Sequence, residues 1–278
     1  MGENTMHATL RLAAAALLSI GTAVSASAAI RTDIVFVVDE SGSMGNVQAN
    51  LRTNIGTFAS IISAGGVDAT YALVGYGNNA IVPRLISNFT TPAAFATAAQ
   101  GLVINGGTEP AFTAIAFALN GLDSQATTLS FRPNSLKNII ILTDEPSNGD
   151  NCSLGRGCIA GVTPNAANVD ALAKANTALI NAVLTGTSTI NSIGGLATDN
   201  GGAVFSLSDF GSSDPNRVDN FITGFASAKL QEIIDFCTLN PTDPACQPTT
   251  QVPEPATLAL FGAGLLGLAA VRRRRDAA

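Results

Sequence analysis

The chain has 278 residues, a formal net charge of −6, 46% hydrophobic and 12% charged residues, four cysteines and one histidine. That length allows one large domain or two small ones. With Arg11 and the four arginines near the C-terminus set aside, and Glu3, Glu254 and Asp276 likewise, nine basic residues face 17 acidic ones; this balance of −8 without a basic block argues against nucleic acid and anionic membrane surfaces as partners.

Residues 12–24, LAAAALLSIGTAV, form an apolar segment after Arg11, and Ala26 and Ala28 then supply the small-x-small pair that signal peptidase reads. A signal peptide over residues 1–28 is expected, with cleavage after Ala28 or Ala29. Glu3 is unusual in such a leader, and Met6 is an alternative start. The rival reading is a buried N-terminal helix.

DIVFVVD (33–39) is a continuous β-branched and aromatic run, as expected of a strand buried on both faces. A helix follows over about 46–63. TYALVGYG (70–77) and AIVPRLI (80–86) read as an antiparallel pair joined through Gly77, Asn78 and Asn79, with Pro83 placing the second strand at an edge. TPAAFATAAQGL (91–102) and EPAFTAIAFALNGL (109–122) read as helices, with Pro110 in the first turn of the latter. KNIIILTDE (137–145) is another buried strand. A helix near 165–184 is expected before strands at 187–193 and 202–207, then two helices near 214–225 and 227–236. This alternation predicts an α/β fold: a doubly wound, mostly parallel sheet with helices on both faces and one antiparallel edge strand. No internal repeat is visible. Residues 237–251 read as a Pro/Thr-rich linker.

Cys152 and Cys158 bracket SLGRG, and Cys237 and Cys246 bracket TLNPTDPA. Four cysteines allow three pairings, and an oxidising compartment lets bridges persist. The two local bridges are the expected set. Zinc is the rival, but there is no CxxC and no histidine after His7.

The tail runs VPEPATLALFGAGLLGLAAVRRRRDAA. Its uncharged apolar stretch, Ala256 to Val271, is closed by Arg272, Arg273, Arg274 and Arg275. As a helix it reaches roughly 24 Å, short of a ~30 Å hydrocarbon core, though arginine stems can snorkel. The arginine cluster is expected to stay cytoplasmic. With Pro253, Glu254 and Pro255 in front, residues 252–278 resemble the PEP-CTERM sorting signal of Gram-negative bacteria. The resemblance implies a transient hold in the inner membrane by a short transmembrane helix. It further implies removal of the tail by an exosortase, a membrane-embedded cysteine transpeptidase, and delivery to the cell surface or exopolysaccharide matrix. A permanent membrane anchor is the plain alternative.

Ligands in doubly wound folds sit beyond the carboxyl ends of the parallel strands. Three loops should meet there: DESGS with Asp39, Ser41 and Ser43 at alternating positions, GGTEP with Thr108, and LTDEP with Asp144. Two carboxylates and three hydroxyls are hard donors, suited to Mg²⁺ or Mn²⁺ rather than Zn²⁺. Ordinary caps and turns are the structural alternative. The set, over residues 32–236, resembles the von Willebrand factor type A (VWA) domain and its metal-ion-dependent adhesion site (MIDAS). Asp39, Ser41 and Ser43 match the D-x-S-x-S pattern, Thr108 its threonine and Asp144 its aspartate. The resemblance implies that the serine hydroxyls bind the metal directly, that the threonine and aspartates bind it directly or through water, and that a partner's carboxylate often completes the shell. Mg²⁺ is the first choice of cation, with Mn²⁺ or Ca²⁺ as alternatives.

A glutamate directly follows a ligand in each loop: Glu40, Glu109 and Glu145. Either these point away into solvent, or they form a rim of negative field that tightens cation binding and repels an acidic partner. Glu109 also suits a helix N-terminus.

An enzyme is not expected. A Ser-His-Asp triad lacks its histidine, GSMG is not a nucleophile elbow, and neither a P-loop nor a G-x-G-x-x-G follows the first strand. The expectation is an exported, metal-dependent binding module whose partner is a surface protein or extracellular polysaccharide. The alternative is a structural component of an extracellular assembly, in which the metal orders loops.

Overall fold

A computed structural model of the chain describes residues 30–123, 125–153 and 157–247. The expected signal peptide and sorting tail lie outside the described residues. Among the described residues, no helix is long and apolar enough to cross a membrane.

Six strands form one sheet: β1 (Ile30–Asp39), β2 (Val67–Tyr76), β3 (Arg84–Thr90), β4 (Leu136–Thr143), β5 (Leu179–Leu184) and β6 (Val204–Ser206). Their order is β3-β2-β1-β4-β5-β6. Only β3 runs antiparallel, beside β2 at the edge. The doubly wound fold expected from the sequence is therefore present, and β1 and β4 lie side by side at its centre with Val38 opposite Leu142.

Alternation along β1 divides the core. Ile34, Phe36 and Val38 face α1 (Gly45–Ala64), α2 (Pro92–Ala98), α7 (Leu207–Phe210) and α8 (Pro215–Leu239). Val35 and Val37 face α3 (Ala111–Ala118), α4 (Ala166–Ala175) and α6 (Gly195–Asp199). On the first face Phe36 packs edge-on to Phe58, with ring centroids 5.7 Å apart, and Phe58 meets Tyr71 and Phe225. Two buried faces are what a β-branched run with no polar alternation requires.

Several boundaries differ from the sequence reading. The edge strand lies at 84–90, immediately after Pro83, rather than at 80–86. Pro110 caps α3 from outside its first turn, and α3 ends at Ala118. The expected helix over 165–184 is two elements: α4 stops at Ala175, and β5 follows. Thr177 ends the helix in the left-handed region (φ 50°), where Ala178 N donates to Ala173 O at 3.0 Å. This is a glycine's usual task; without a glycine the only stop signals were the weaker ones of Lys174 in the last turn and Asn176 at the cap. TSTINSI, expected as a strand, is helical: α5 (Thr187–Thr189) continues through one π-turn into α6. Its β-branched residues favour a strand locally, and packing overrides them. The two last helices are one, α8.

Both disulfides are the local ones, Cys152–Cys158 and Cys237–Cys246. The second corrects the start of the linker. Cys237 lies within α8, and Ala245 in the 3₁₀ turn Pro244–Cys246 is buried in the core. The domain thus reaches at least to Cys246.

Candidate metal centre

Asp39 ends β1 with no solvent exposure. Its Oδ1 accepts from Ser41 N at 2.7 Å, and its Oδ2 accepts from the Thr143 hydroxyl at 2.8 Å. Thr143 is the last residue of β4, so the central strand pair itself orients the carboxylate. Ser41 is buried and Ser43 exposed, and their hydroxyl oxygens lie 3.2 Å apart. The two alternating hydroxyls therefore lie side by side, in hydrogen-bond contact with each other.

Backbone contacts bring in the second loop. Glu40 O accepts from Asn105 N (3.0 Å) and Gly106 N (3.2 Å), and Ser41 bridges to Gly106. Gly106 lies so close to the turn after β2 that a Cβ there would sit 1.5 Å from Gly77 O. Gly77 has φ +78°, and a Cβ on it would lie 3.3 Å from Asp39 Oδ1, 3.4 Å from Thr108 O and 3.5 Å from Glu109 Cγ. Asp39, half-buried Thr108 and Glu109 thus converge on one turn.

Asp144 follows β4 directly and is half-buried. Its backbone oxygen accepts from Thr189 Oγ1 at 3.0 Å, so the helical segment mistaken for a strand buttresses this loop. Asn148 ties the loop to the second one: its N donates to Glu109 O (2.9 Å) and its Nδ2 to Glu109 Oε2 (2.8 Å). Ser147 and Asp150 cap α3, where Asp150 Oδ1 accepts from Thr113 N and Oγ1 at 2.8 and 2.7 Å. Sequence reasoning passed over Asn148, Asp150 and Thr143, and read Gly77 only as part of a strand connection. A run of capping residue types straight after a strand, EPSNGD, was the available signal for the first two.

The three glutamates do not behave alike, and neither expected reading covers them. Glu40 is fully buried and pairs with Arg84 through both carboxylate oxygens, with the Nε contact at 2.9 Å. It also accepts from Asn78 Nδ2 and Val103 N, both at 2.9 Å. It is a brace between the first loop, the edge strand and the chain before the second loop. Glu109 is also fully buried, facing Asp144 and Glu145. Only Glu145 is exposed.

Burial pushes the Asp39 carboxyl up to about 7; hydrogen bonds from Ser41 and Thr143 oppose the rise, and the Glu109 charge adds to it. Glu109 is likewise raised, by burial first, against the Asn148 hydrogen bond and with the charges of Glu145 and Asp144. The Asp144 Oδ1 and Glu109 Oε1 atoms are buried, and no donor reaches either. Clustered carboxylates with unpartnered oxygens lack a positive partner. Hard donors of this kind fit a divalent cation. Among the described residues, no group of three or more His, Cys, Asp or Glu is placed to hold a metal, so a cation here would rely on the hydroxyls of Ser41, Ser43 and Thr108 as well.

The raised Asp39 has a sign-definite consequence in protein stripped of divalent cations. Its folded pKa lies above the unfolded value of about 3.9, so this contribution to stability is complete below pH ~4 and is lost as pH rises through about 7. The loss is on the order of 4 kcal/mol at most. Urea melts in chelator should show it for the parent protein and not for Asp39→Asn; equal slopes for the two would refute the assignment.

Residues 33–218 match the family model of the von Willebrand factor type A domain, and residues 251–275 match that of the PEP-CTERM protein-sorting motif. No curated protein matches the chain.

Proposed function

The chain belongs to the von Willebrand factor type A family, and from that premise we infer that it is an exported, surface-associated adhesion module whose three-loop site takes a divalent cation. The sorting motif supports export, display at the cell surface and processing by exosortase-type machinery. The observation that carries the cation is the pair of buried, unpartnered oxygens on Asp144 and Glu109 beside buried Asp39. Asp39, Ser41, Ser43, Thr108 and Asp144 would hold it. Mg²⁺ is the first candidate, with Mn²⁺ or Ca²⁺ next. Once bound, the cation supplies an electrophilic point at which an oxygen of a surface protein or extracellular polysaccharide can dock.

The alternative, a structural component whose loops are ordered by the metal, is less favoured because of Glu40. Its bonds to Arg84, Asn78 and Val103 N already brace the first loop without a cation. The reading includes no catalysis, since residues 30–247 contain no histidine to serve as a base beside a serine.

Asp39→Ala should abolish Mg²⁺ or Mn²⁺ binding while leaving the fold, because β1 and β4 pair through their backbones. Titration calorimetry with the bare metal ions decides this, and unchanged affinity in the variant rules out the site. A pull-down from cell envelope and matrix, with and without EDTA, then separates the two roles. Loss of partner in EDTA supports adhesion, whereas loss of folding supports the structural alternative.

A further inference from the structure

Far from the loops, the face of the sheet that packs on α8 carries a polar group that the proposed function does not use. Lys229 of α8 is fully buried, as are Asn138 of β4, Asn181 of β5 and Thr32 of β1. The Lys229 Nζ lies 2.8 Å from Asn138 Oδ1 and 2.7 Å from Glu232 Oε2. Asn138 Nδ2 donates to Thr32 Oγ1 at 2.5 Å, and Asn181 Nδ2 donates to both oxygens of Glu232. A primary amine, a carboxamide and a carboxylate thus meet in an enclosed apolar site. Lysine is almost never fully buried in proteins unless paired, as Lys229 is with Glu232, and burial costs its charged form heavily.

We propose that Lys229 and Asn138 join in an intramolecular amide bond, with Glu232 moving the protons. The amine is held 2.8 Å from the carbonyl's own oxygen, and the carbon it would attack is the atom bonded to that oxygen. Such fixed placement replaces a bimolecular encounter and removes much of the barrier to amide exchange. Burial also lowers the tendency of Lys229 to stay protonated, opposed by Glu232, which favours the nucleophilic form.

The step balances without an outside reagent. Lys229 ammonium gives a proton to Glu232, and the freed Nζ lone pair attacks Asn138 Cγ. The Nζ–Cγ bond forms, the Cγ–Nδ2 bond breaks, and Nδ2 leaves with the protons released by Nζ, as ammonium. Glu232 ends ionised, as it began. Thr32 grips the other end of the amide and sets the orientation from which the carbon is approached. Glu232 has a side-chain exposure of 15%, which provides a way out for ammonia. The product links the last helix to a central strand, so the two stay connected when the rest of the core opens.

The purified full chain, reduced, denatured and digested with trypsin, tests this by mass. A branched peptide is expected that joins the fragment beginning at Asn138 to the one spanning Lys229. It should be lighter by one ammonia than the two together, with no cleavage after Lys229. Glu232→Gln, which keeps the shape but cannot carry the proton, should yield the linear fragments and normal cleavage. Linear fragments from the parent protein, cleaved after Lys229, would overturn the proposal and leave an ordinary buried ion pair. That result would not touch the metal site, which shares no residue with this cluster.

Discussion

Gly106→Ala is expected to abolish cation binding and to lower stability by about 3 kcal/mol, the upper part of the usual range for overpacking. The new methyl group would lie 1.5 Å from Gly77 O and 2.7 Å from Asn78 Cα. Both obstacles are backbone, so no side chain can swing aside. The second loop must move off the β2 turn, carrying Thr108 and Glu109 away from Asp39. Gly107→Ala is the internal control, because a Cβ there meets nothing within 4 Å. It should leave calorimetric metal affinity and the urea midpoint unchanged. Equal behaviour of the two variants would mean that the close approach does not set the site.

Arg84→Ala should cost about 3 kcal/mol, near the lower end of the 3–5 kcal/mol typical when one partner of a buried pair is removed. The lower end applies because Arg84 itself has a side-chain exposure of 38%, which lets water reach the vacated space. Glu40 remains enclosed and charged, with only Asn78 and Val103 N as donors. Arg84→Ala combined with Glu40→Gln should recover a large part of the loss, since no charge is then stranded. Urea melts of the single and double variants measure this, and a loss under 1 kcal/mol for Arg84→Ala would show that Glu40 does not depend on the pair.

The parts of the molecule legible in the sequence were those governed by local patterns. β1 and β4 announced themselves as uninterrupted apolar runs, and Asp39, Ser41 and Ser43 by their spacing at the end of the first of them. What escaped was decided elsewhere in the chain. β5 was hidden because Thr177 ends α4 in a conformation usually given to glycine. The segment 187–199 is helical where its β-branched residues alone favour a strand, and Thr189 uses that helix to reach Asp144 O. Glu40 has the same neighbours in sequence as an exposed loop residue. Its burial comes from Arg84, 44 residues away, which no short-range pattern encodes. Glu109 and Glu145 each follow a candidate metal-site residue in sequence and yet differ in exposure, because Asn148 draws only the first under the third loop.

The packing of Ala245 has a mechanical consequence. The turn at Pro244–Cys246 lies against β1 and beside Leu136, Asn176 and Thr177, residues at the start of β4 or leading into β5. The described chain therefore begins and ends at one pole of the sheet, while Asp39, Thr108 and Asp144 occupy the other. Ten residues of β1 separate the poles, roughly 30 Å at the usual rise. If the C-terminal end is the tether and the loops grip a partner, tension runs lengthwise along β1 and β4. Parallel neighbours loaded in this way slide past each other in shear, so the rungs between them must give together; peeled from one end, they would fail one at a time.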